Sequence, residues 1–527
     1  MKNWTARFAA VSLGCLRAIW PAYLLASLLI FWGLAWSLPD NPHLDKSFHP
    51  DEHAALWGVH QIHPPSFNPH LFNWGTALLY QTYLLKLILS LHGAIPLDDA
   101  KLLLIGRLVV WLSAMGALTC LYLLGREIVD EWTARLAAIL LAVLPGFVIN
   151  SHYFKTDIPM VFWLLAALLA GYRLMATGRM GYLYALGLLT GYAISTKYSA
   201  ATAIPAALLC VVMAPRQVRK IRAIPIFGVC VGAAFLIGTP RVLPNPREFL
   251  DTLHWVAGIG RAAYPSTFAR GPAWRDYLLR IAPLATTLPI WLAAGPGMVV
   301  LTVRRGRALL PIWALLAAYW FLVSEDNTRL MRYMVPLLPV TALAVAGLLN
   351  ELRRTGAAGG VAAVSAAGLM AGYAFLFTAS YVRVMTEEDP RVQASRWIAG
   401  HAPRNQPFLV STAHYSGAPQ VQLWGYQKIE IQTDLAKLRA AESPYVAVSE
   451  YVTQKYDGAL SRYPDVKAFF DYVGANYTEV ARFENSQRLW FIDSKEGKTA
   501  TLDWIYPNPR ITIFRRRGSL ADSVKRD

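Results

Sequence analysis

The sequence predicts a polytopic α-helical membrane protein that ends in a soluble α/β domain. Hydrophobic residues make up 55% of the 527 positions and charged residues only 16%, a composition unlike that of soluble globular proteins. Apolar runs close to the length of a bilayer span recur up to about residue 380. After about residue 380, the sequence contains mixed charges, turn residues and short runs in which apolar and polar residues alternate. We therefore predict a membrane-embedded domain over 1–382 and an extracytoplasmic α/β domain over 383–527.

The predicted spans follow from run length, with one segment excluded by its polarity. Segment 71–94 is apolar but contains Asn73, Gln81 and Lys86, and a lysine at the centre of a span costs about 2.5–3.5 kcal/mol. We expect it to form surface helices within a first extracytoplasmic loop, 39–101. The eleven predicted spans are 18–38, 102–124, 134–150, 157–175, 181–197, 198–214, 222–239, 283–303, 308–323, 333–350 and 360–380.

The basic residues predict the orientation of these spans. A net charge of +17 would suggest nucleic acid in a soluble chain, but most basic residues here lie in short loops between apolar runs, which is a topology signal. No nucleic-acid partner is predicted. With 71–94 outside, the positive-inside rule places the N-terminus in the cytoplasm and the C-terminal domain on the opposite side. The groups on the cytoplasmic side are Lys2, Arg7 and Arg17; Arg126 and Arg135; Arg173 and Arg179; Arg216, Arg219, Lys220 and Arg222; Arg304, Arg305 and Arg307; and Arg353 and Arg354.

The C-terminal part has both strand and helix patterns. Runs 407–411 and 444–448 are typical of short buried strands, and 391–399 and 466–472 have helical apolar spacing. Segment 510–514 alternates and predicts a final strand at a sheet edge.

Two adjacent carboxylates, Asp51 and Glu52, follow the first predicted span. Carboxylates near hydrocarbon are costly to keep ionised, which favours a functional role. One of them could act as a general base that takes a proton from an attacking hydroxyl. The alternative is a solvated pair at the N-terminus of a helix that continues through 54–57.

Histidines near these carboxylates leave a metal site open. His49, His53 and His152, together with Asp51 and Asp157, are ligand types that suit a divalent cation, although their spacing matches no standard motif. Ordinary polar loop histidines are the alternative. The four cysteines, which lie in or beside apolar runs, lack metal-ligand spacing and predict neither a disulfide nor a cysteine zinc site.

Several cations sit beside predicted spans on the extracytoplasmic side. Lys197, Arg329 and Arg332 could bind phosphate oxygens, whereas the alternatives are snorkelling to headgroups or pairing with neighbouring acids. Asp157 suits either this site or a helix N-cap. The glycine-rich loops that bind ATP or NAD are not found, which points to an activated substrate drawn from the membrane.

The order of these motifs resembles the glycosyltransferase C superfamily. The likeness is greatest to bacterial relatives of the dolichyl-phosphate-mannose–protein mannosyltransferases and to the lipid A aminoarabinose transferase. The matching residues are His49-Pro50-Asp51-Glu52-His53, Asp157-Ile158-Pro159, the run 191–197, Arg332-Tyr333 with Pro336 and Pro339, and the run 389–398. The run 70–74 departs from the family pattern, so acceptor specificity does not carry over.

The resemblance implies inverting transfer of a hexose or pentose. The donor would be a polyprenyl-phosphate-linked sugar, and the acceptor a protein, lipid or polysaccharide on the outer face of a bacterial inner membrane. Asp51 would be the base, with Glu52 supporting it or positioning the acceptor as a second catalytic residue. Lys197 and Arg332 would neutralise the departing phosphate. The resemblance implies no certain cofactor, and a divalent cation stays open. The other predicted substrate-contacting residues are His53, His152, Asp157, Arg329 and Tyr333.

Two other classes of protein compete with a transferase. A transporter or flippase of a lipid-linked or small anionic substrate should carry polar groups at mid-membrane on broken helices, whereas the predicted site residues gather at one rim. A scaffold would not need Asp51, Lys197 and Arg332 on a common face.

Overall fold

A computed structural model describes residues 2–39, 44, 47–91, 98–261, 271–404, 406–412, 415–441 and 443–518. Helices dominate up to about residue 401, and strands and helices are mixed after that. The α-helices are α1 (Lys2–Trp32), α2 (Pro50–Gln61), α3 (Ala77–Leu91), α4 (Asp99–Ile128), α5 (Glu131–Val143), α6 (Pro145–Ser151), α7 (Asp157–Thr177), α8 (Met180–Thr196), α9 (Ile204–Met213), α10 (Lys220–Gly238), α11 (Pro246–Arg261), α12 (Ala273–Asp276), α13 (Ala282–Thr286), α14 (Leu288–Arg305), α15 (Leu310–Ser324), α16 (Leu338–Arg353), α17 (Ala357–Val382), α18 (Pro390–His401), α19 (Leu435–Ala440), α20 (Glu450–Lys455), α21 (Pro464–Asn476) and α22 (Gly497–Ala500).

Each of the eleven apolar runs coincides with helix in the structure. In the described residues, seven helical segments are long and apolar enough to cross a membrane, or eight if the pair α5 and α6, bent by 60°, forms one span. That count takes Leu288–Ser324 as one segment and leaves out the short helix α8 and segment Tyr198–Met213. The helical membrane fold is therefore established, while eleven crossings stay a prediction.

Segment 71–94 contains helix α3, which has 15 residues. At 1.5 Å per residue it is about 22 Å long, shorter than the roughly 30 Å hydrocarbon core. The Gln81 amide donates to the Tyr192 hydroxyl of α8 at 3.0 Å, whereas Leu84 and Ile88 are exposed. The outward face of this short helix is therefore apolar, and its placement at the membrane surface stays a prediction.

The C-terminal domain contains a five-stranded sheet in the order β2-β1-β3-β7-β4. Strand β1 is parallel to β2 and β3, and β7 is antiparallel to β3 and β4. A separate antiparallel pair consists of β5 and β6. The strands are β1 (Phe408–Ser411), β2 (Lys428–Glu430), β3 (Tyr445–Ser449), β4 (Tyr477–Phe483), β5 (Arg488–Leu489), β6 (Ile492–Asp493) and β7 (Ile511–Arg516).

The structure corrects the predicted edge position of the last strand. Strand β7 does form, but it lies between β3 and β4, and Ile511, Thr512 and Ile513 are all buried. The edge strand next to β7 is β4, which follows helix α21 directly. Its sequence includes Glu479 and Arg482, and a mixed polar sequence of this kind gives a weak strand signal. The other strand and helix predictions for this domain coincide with β1, β3, α18 and α21.

The C-terminal domain packs against the last helix of the membrane domain. Trp504 is fully buried, and its ring centroid lies 4.4 Å from that of Tyr381 in α17. This contact brings segment 501–506 to the end of the helical domain that carries the predicted site.

Candidate active site

Asp51 is oriented by the way helix α2 begins. The Nδ1 atom of His49 accepts a hydrogen bond from the backbone N–H of Asp51 at 3.2 Å, and Pro50 occupies the first helical position. A side-chain cap and a proline with fixed φ both specify the start of a helix. Asp51 therefore lies in the first turn, with a side chain that is 21% exposed.

Glu52, the next residue, points into the protein and is fully engaged there. Its Oε1 accepts from Arg107 Nε and from the backbone N–H of Phe154, both at 2.8 Å. Its Oε2 accepts from Arg107 Nη2 at 2.7 Å and from Ser47 Oγ at 2.8 Å. Burial alone would raise the pKa of Glu52, but Arg107 and these hydrogen bonds hold it below its usual value. The geometry favours a positioning role for Glu52 over the predicted direct part in catalysis.

Arg107 is a residue that the sequence analysis missed. It is fully buried within α4 and also donates to the carbonyl oxygens of Leu34 and Trp36, at 2.5 and 2.7 Å. Gly106 beside it leaves room for Phe154, since a Cβ there would lie 2.4 Å from the ring. A lone arginine inside an apolar run is the signal that could have identified it.

Asp51 lies beside a cluster of positive charges. It forms an ion pair with Arg332, and Lys197 Nζ lies 2.5 Å from Asp157 Oδ1. The Tyr333 ring joins the two pairs: its centroid is 5.2 Å from Lys197 Nζ and 5.6 Å from Arg332 Cζ, within the range of cation–π attraction. The structure thus brings together the five predicted residues Asp51, Asp157, Lys197, Arg332 and Tyr333.

The cations control the protonation of Asp51. Burial by itself would raise the pKa of this carboxyl group, but Arg332, Lys155 and Lys197 outweigh burial and hold the pKa below its usual value. Asp51 is therefore ionised at neutral pH. It can accept a proton once the balance of charge around it changes.

Lys155 is a further member of the cluster that the sequence analysis did not single out. It is 3% exposed, and its Nζ lies 4.0 Å from Asp157 Oδ2 and 5.3 Å from the centroid of the Tyr153 ring. Burial lowers the pKa of Lys155; Asp157 opposes this effect and Arg332 adds to it. A buried lysine at this distance from its carboxylate is weakly compensated, a feature of anion-binding sites. Its position two residues before Asp157 was the available signal.

Asp157 does not serve as the N-cap of α7, which was one of its two predicted roles. Helix α7 begins at Asp157 itself, and Thr156 is the N-cap without a side-chain cap bond. The carboxylate instead pairs with Lys197, which ends α8 as its C-cap. Tertiary contact between two helix ends has replaced the local cap.

Three other predicted substrate residues have different surroundings. Arg329 has φ +53° and its Nη1 lies 3.1 Å from Asp276 Oδ2, in a buried ion pair. His152 is fully buried, with Nδ1 2.9 Å from Val148 O and Nε2 3.1 Å from Leu29 O. His53 is half-buried on α2, two residues beyond Asp51. The geometry favours structural roles for Arg329 and His152.

The predicted metal ligands do not assemble into a cluster. Within the described ranges, no three His, Cys, Asp or Glu side chains lie close enough together to hold a metal ion. Asp51 and Asp157 are instead paired with cations.

The C-terminal domain also reaches this site. The Asp503 carboxylate accepts from the backbone N–H groups of Met331 and Arg332, at 3.1 and 3.0 Å. The Tyr506 ring lies 4.6 Å from that of His49. Neither residue was predicted, because nothing local in the sequence links Asp503 to a loop about 170 residues earlier or Tyr506 to His49.

The structure places the chain in a class of membrane proteins that have a helical domain and a C-terminal sheet domain. The charged residues of the candidate site gather at one end of the helical domain. The sequence profile described as dolichyl-phosphate-mannose-protein mannosyltransferase matches residues 81–243. No curated protein matches the sequence.

Comparison with solved structures gives several matches of low identity. Archaeal oligosaccharyltransferase AglB from Archaeoglobus fulgidus, in complex with an inhibitory peptide and a dolichol-phosphate, is 13% identical with a TM-score of 0.53; the match covers 91% of this chain and 74% of that chain. The Archaeoglobus fulgidus oligosaccharyltransferase complex with Zn and sulfate is also 13% identical, with a TM-score of 0.51 and coverage of 89% and 72%. ArnT from Cupriavidus metallidurans bound to undecaprenyl phosphate is 14% identical, with a TM-score of 0.49 and coverage of 97% and 98%.

These findings confirm the predicted resemblance to the glycosyltransferase C superfamily and the predicted fold class. The apolar helices make the chain an integral membrane protein. At this level of identity the solved structures establish the fold, and the roles of individual site residues stay predictions.

Proposed function

We propose that this protein is an inverting glycosyltransferase that moves a sugar from a polyprenyl-phosphate-linked donor to an acceptor hydroxyl or amine. The observation that carries the proposal is the ion pair of Asp51 with Arg332, beside Lys155 and Lys197, which pair with Asp157. A carboxylate able to act as base therefore adjoins a site with affinity for phosphate. The matched oligosaccharyltransferase structure that contains dolichol-phosphate supports the same donor class.

The charges in the cluster suit a lipid-linked phosphodiester. Lys155, Lys197 and Arg332 lie against the two carboxylates Asp51 and Asp157, and the third nearby carboxylate, Asp503, accepts from the backbone N–H groups of Met331 and Arg332. A sugar phosphodiester carries one negative charge, and the lipid monophosphate that leaves can carry two. Fixed cations that meet growing negative charge stabilise the transition state more than the ground state.

The reaction would be a single displacement. The acceptor oxygen or nitrogen attacks the anomeric carbon as the bond from that carbon to the phosphate oxygen breaks, and its proton passes to Asp51. The bonding pair leaves with the lipid phosphate. When the donor phosphate binds Arg332, this arginine neutralises Asp51 less, so the pKa of Asp51 rises towards the working pH. Donor binding thus prepares the base.

We also propose that the site faces the extracytoplasmic side, the periplasm in a bacterial inner membrane. The loops that carry Asp51 and Arg332 were predicted to share that side, and the ion pair between these residues requires a common compartment. The acceptor would be a protein, lipid or polysaccharide there.

The test uses the full chain in lipid nanodiscs. Labelled polyprenyl-phosphate mannose, glucose and arabinose are offered with a membrane extract as acceptor source, and copurifying lipids are identified by mass spectrometry. Asp51→Asn should lower transfer by about a thousandfold, near the middle of the range for loss of a general base, while binding of undecaprenyl phosphate stays near wild type. Arg332→Ala should weaken that binding about tenfold, equivalent to about 1.4 kcal/mol.

Asp98→Asn is the matched control, because Asp98 is exposed and caps helix α4. It should leave transfer and lipid binding unchanged. Full transfer by Asp51→Asn would remove Asp51 from the mechanism, and failure of the wild-type protein to bind undecaprenyl phosphate would argue for a transporter of another substrate or a scaffold.

A further inference from the structure

Segment 501–506 of the C-terminal domain binds the backbone of the loop that carries Arg332. Asp503, 5% exposed, accepts from Met331 N–H through Oδ1 at 3.1 Å and from Arg332 N–H through Oδ2 at 3.0 Å. The Thr501 hydroxyl lies 2.9 Å from the carbonyl oxygen of Arg329, to which it can donate. Polar contacts at residues 329, 331 and 332 therefore fix this loop from outside the membrane domain.

The same segment contacts the start of helix α2. The Tyr506 ring meets that of His49 at 65° with centroids 4.6 Å apart, and His49 caps the turn that contains Asp51. Arg391, fully buried at the start of α18, donates to Tyr506 O at 2.7 Å. Its Cζ lies 3.7 Å from the centroid of Phe48. Both loops of the site therefore rest on the C-terminal domain.

The contacts act where the backbone sets the direction of Arg332. Met331 and Arg332 begin the 3₁₀ helix Met331–Leu337, and the first N–H groups of a helix lack partners within it. A carboxylate that accepts two such groups forms charge-assisted hydrogen bonds, which are stronger than neutral ones. Fixing these two residues restricts where the guanidinium can lie relative to Asp51 and to a bound phosphate.

We propose that Asp503 is a positioning residue: it holds Arg332, and the C-terminal domain completes the phosphate-binding site through segment 501–506. This inference rests on the proposed function, because it assigns Arg332 to the phosphate. It predicts that loss of Asp503 acts on lipid binding through Arg332 and not through general loosening of the domain.

The experiment measures the full chain in nanodiscs with undecaprenyl phosphate as the probe. Asp503→Ala should speed hydrogen exchange at the amide of Arg332 about tenfold or more, since it removes the acceptor, and less at Met331, whose N–H also donates to Thr501 Oγ1 at 3.1 Å. It should weaken probe binding about tenfold. Asp503→Glu should recover part of the affinity. Thr501→Val, a nearly isosteric change, should have a smaller effect in the same direction and serves if Asp503→Ala does not fold. Asp471→Asn is the control, because its ion pair with Lys467 on α21 is exposed.

A double-variant cycle separates positioning from general stability. If Asp503 acts through Arg332, the double variant Asp503→Ala/Arg332→Ala should bind the probe no more weakly than Arg332→Ala alone. Additive losses, or unchanged exchange at Met331 and Arg332 in Asp503→Ala, would overturn the inference. A wild-type protein that fails to bind the probe would overturn the proposed function instead, and the exchange measurement would still report whether Asp503 orders this loop.

Discussion

Asp51 and Glu52 are neighbours in the chain, yet they lie in two regions with opposite electrostatic character. Around Glu52, one carboxylate meets one guanidinium, and both of its oxygens are fully hydrogen-bonded in a site without exposure. Around Asp51, two carboxylates meet three cations, and the side chains of Asp51 and Arg332 keep 21% and 17% exposure. The first region is closed and balanced, whereas the second is open to solvent and holds three cations close together.

The difference indicates how one acidic dipeptide can carry two roles. Successive residues on a helix point about 100° apart, so a single turn directs Glu52 into the core and Asp51 towards the cation cluster. A balanced buried pair stabilises one backbone arrangement. A buried cation at the limit of ion-pair distance from its carboxylate, as Lys155 is from Asp157, costs stability and can bind an anion.

The largest expected effect is on the closed region. Glu52→Gln should lower the free energy of unfolding by about 3–5 kcal/mol, because it leaves the Arg107 guanidinium buried without a counter-charge. Unfolding by denaturant in micelles measures this. The double variant Glu52→Gln/Arg107→Met should recover part of the loss, and Asp51→Asn should cost less than half as much. Equal losses in Glu52→Gln and Asp51→Asn would remove the distinction between the two regions.

Lys155 tests whether the open region exchanges stability for anion binding. Lys155→Met should weaken binding of undecaprenyl phosphate about tenfold and leave the unfolding midpoint equal to or above that of the wild type, since a weakly compensated buried charge is removed. Native mass spectrometry measures binding, and thermal unfolding measures stability. Lys101→Met, at an exposed ion pair on α4, is the control. Loss of stability without loss of binding would assign Lys155 to the fold.

Near neutral pH, the smallest expected effect is a pH dependence of stability, which comes from His152 beside the site. Burial lowers the pKa of His152 to about 4. Its contacts with the carbonyl oxygens of Val148 and Leu29 raise the pKa, but burial has the larger effect. Between pH 6.5 and 4 the unfolded chain binds a proton that the folded chain does not, so stability is full above pH 6.5 and falls as the pH is lowered. The difference of about 2.5 in pKa corresponds to about 3 kcal/mol at the acid end, but only a small part is lost by pH 6.

His152→Asn should make this dependence shallower in thermal unfolding between pH 8 and 4.5. Some dependence should remain, because burial also lowers the pKa of His49 well below its usual value. An unchanged slope in the variant would show that His152 does not titrate on unfolding.

Part of the site could be predicted, because short stretches of sequence indicate on which side of the membrane each loop lies. Apolar run length and loop charge placed Asp51, Asp157, Lys197 and Arg332 at one rim, and the structure brings these residues together. Arg329 and Arg332 could not be separated in this way. They lie three residues apart, but Arg329 has φ +53° and turns into the buried pair with Asp276, and no local pattern specifies that turn.

Long-range partners account for the rest of what was missed. Arg107 meets a carboxylate 55 residues earlier, and Asp503 binds backbone groups about 170 residues away. Lys155 has no distinctive motif, and its importance comes from its distance to Asp157. Strand β7 is likewise buried because β4 pairs with the side of β7 that β3 leaves open.

The sequence by itself determined the membrane class, the helical segments and the rim at which charge collects, because bilayer thickness and the cost of burying charge act on short stretches of chain. Only the tertiary structure decided which carboxylate is free to act, which arginine faces it, and that the C-terminal domain holds both loops. Those outcomes depend on the approach of groups far apart in the chain, where distance and solvent exclusion set the strength of every charge–charge contact.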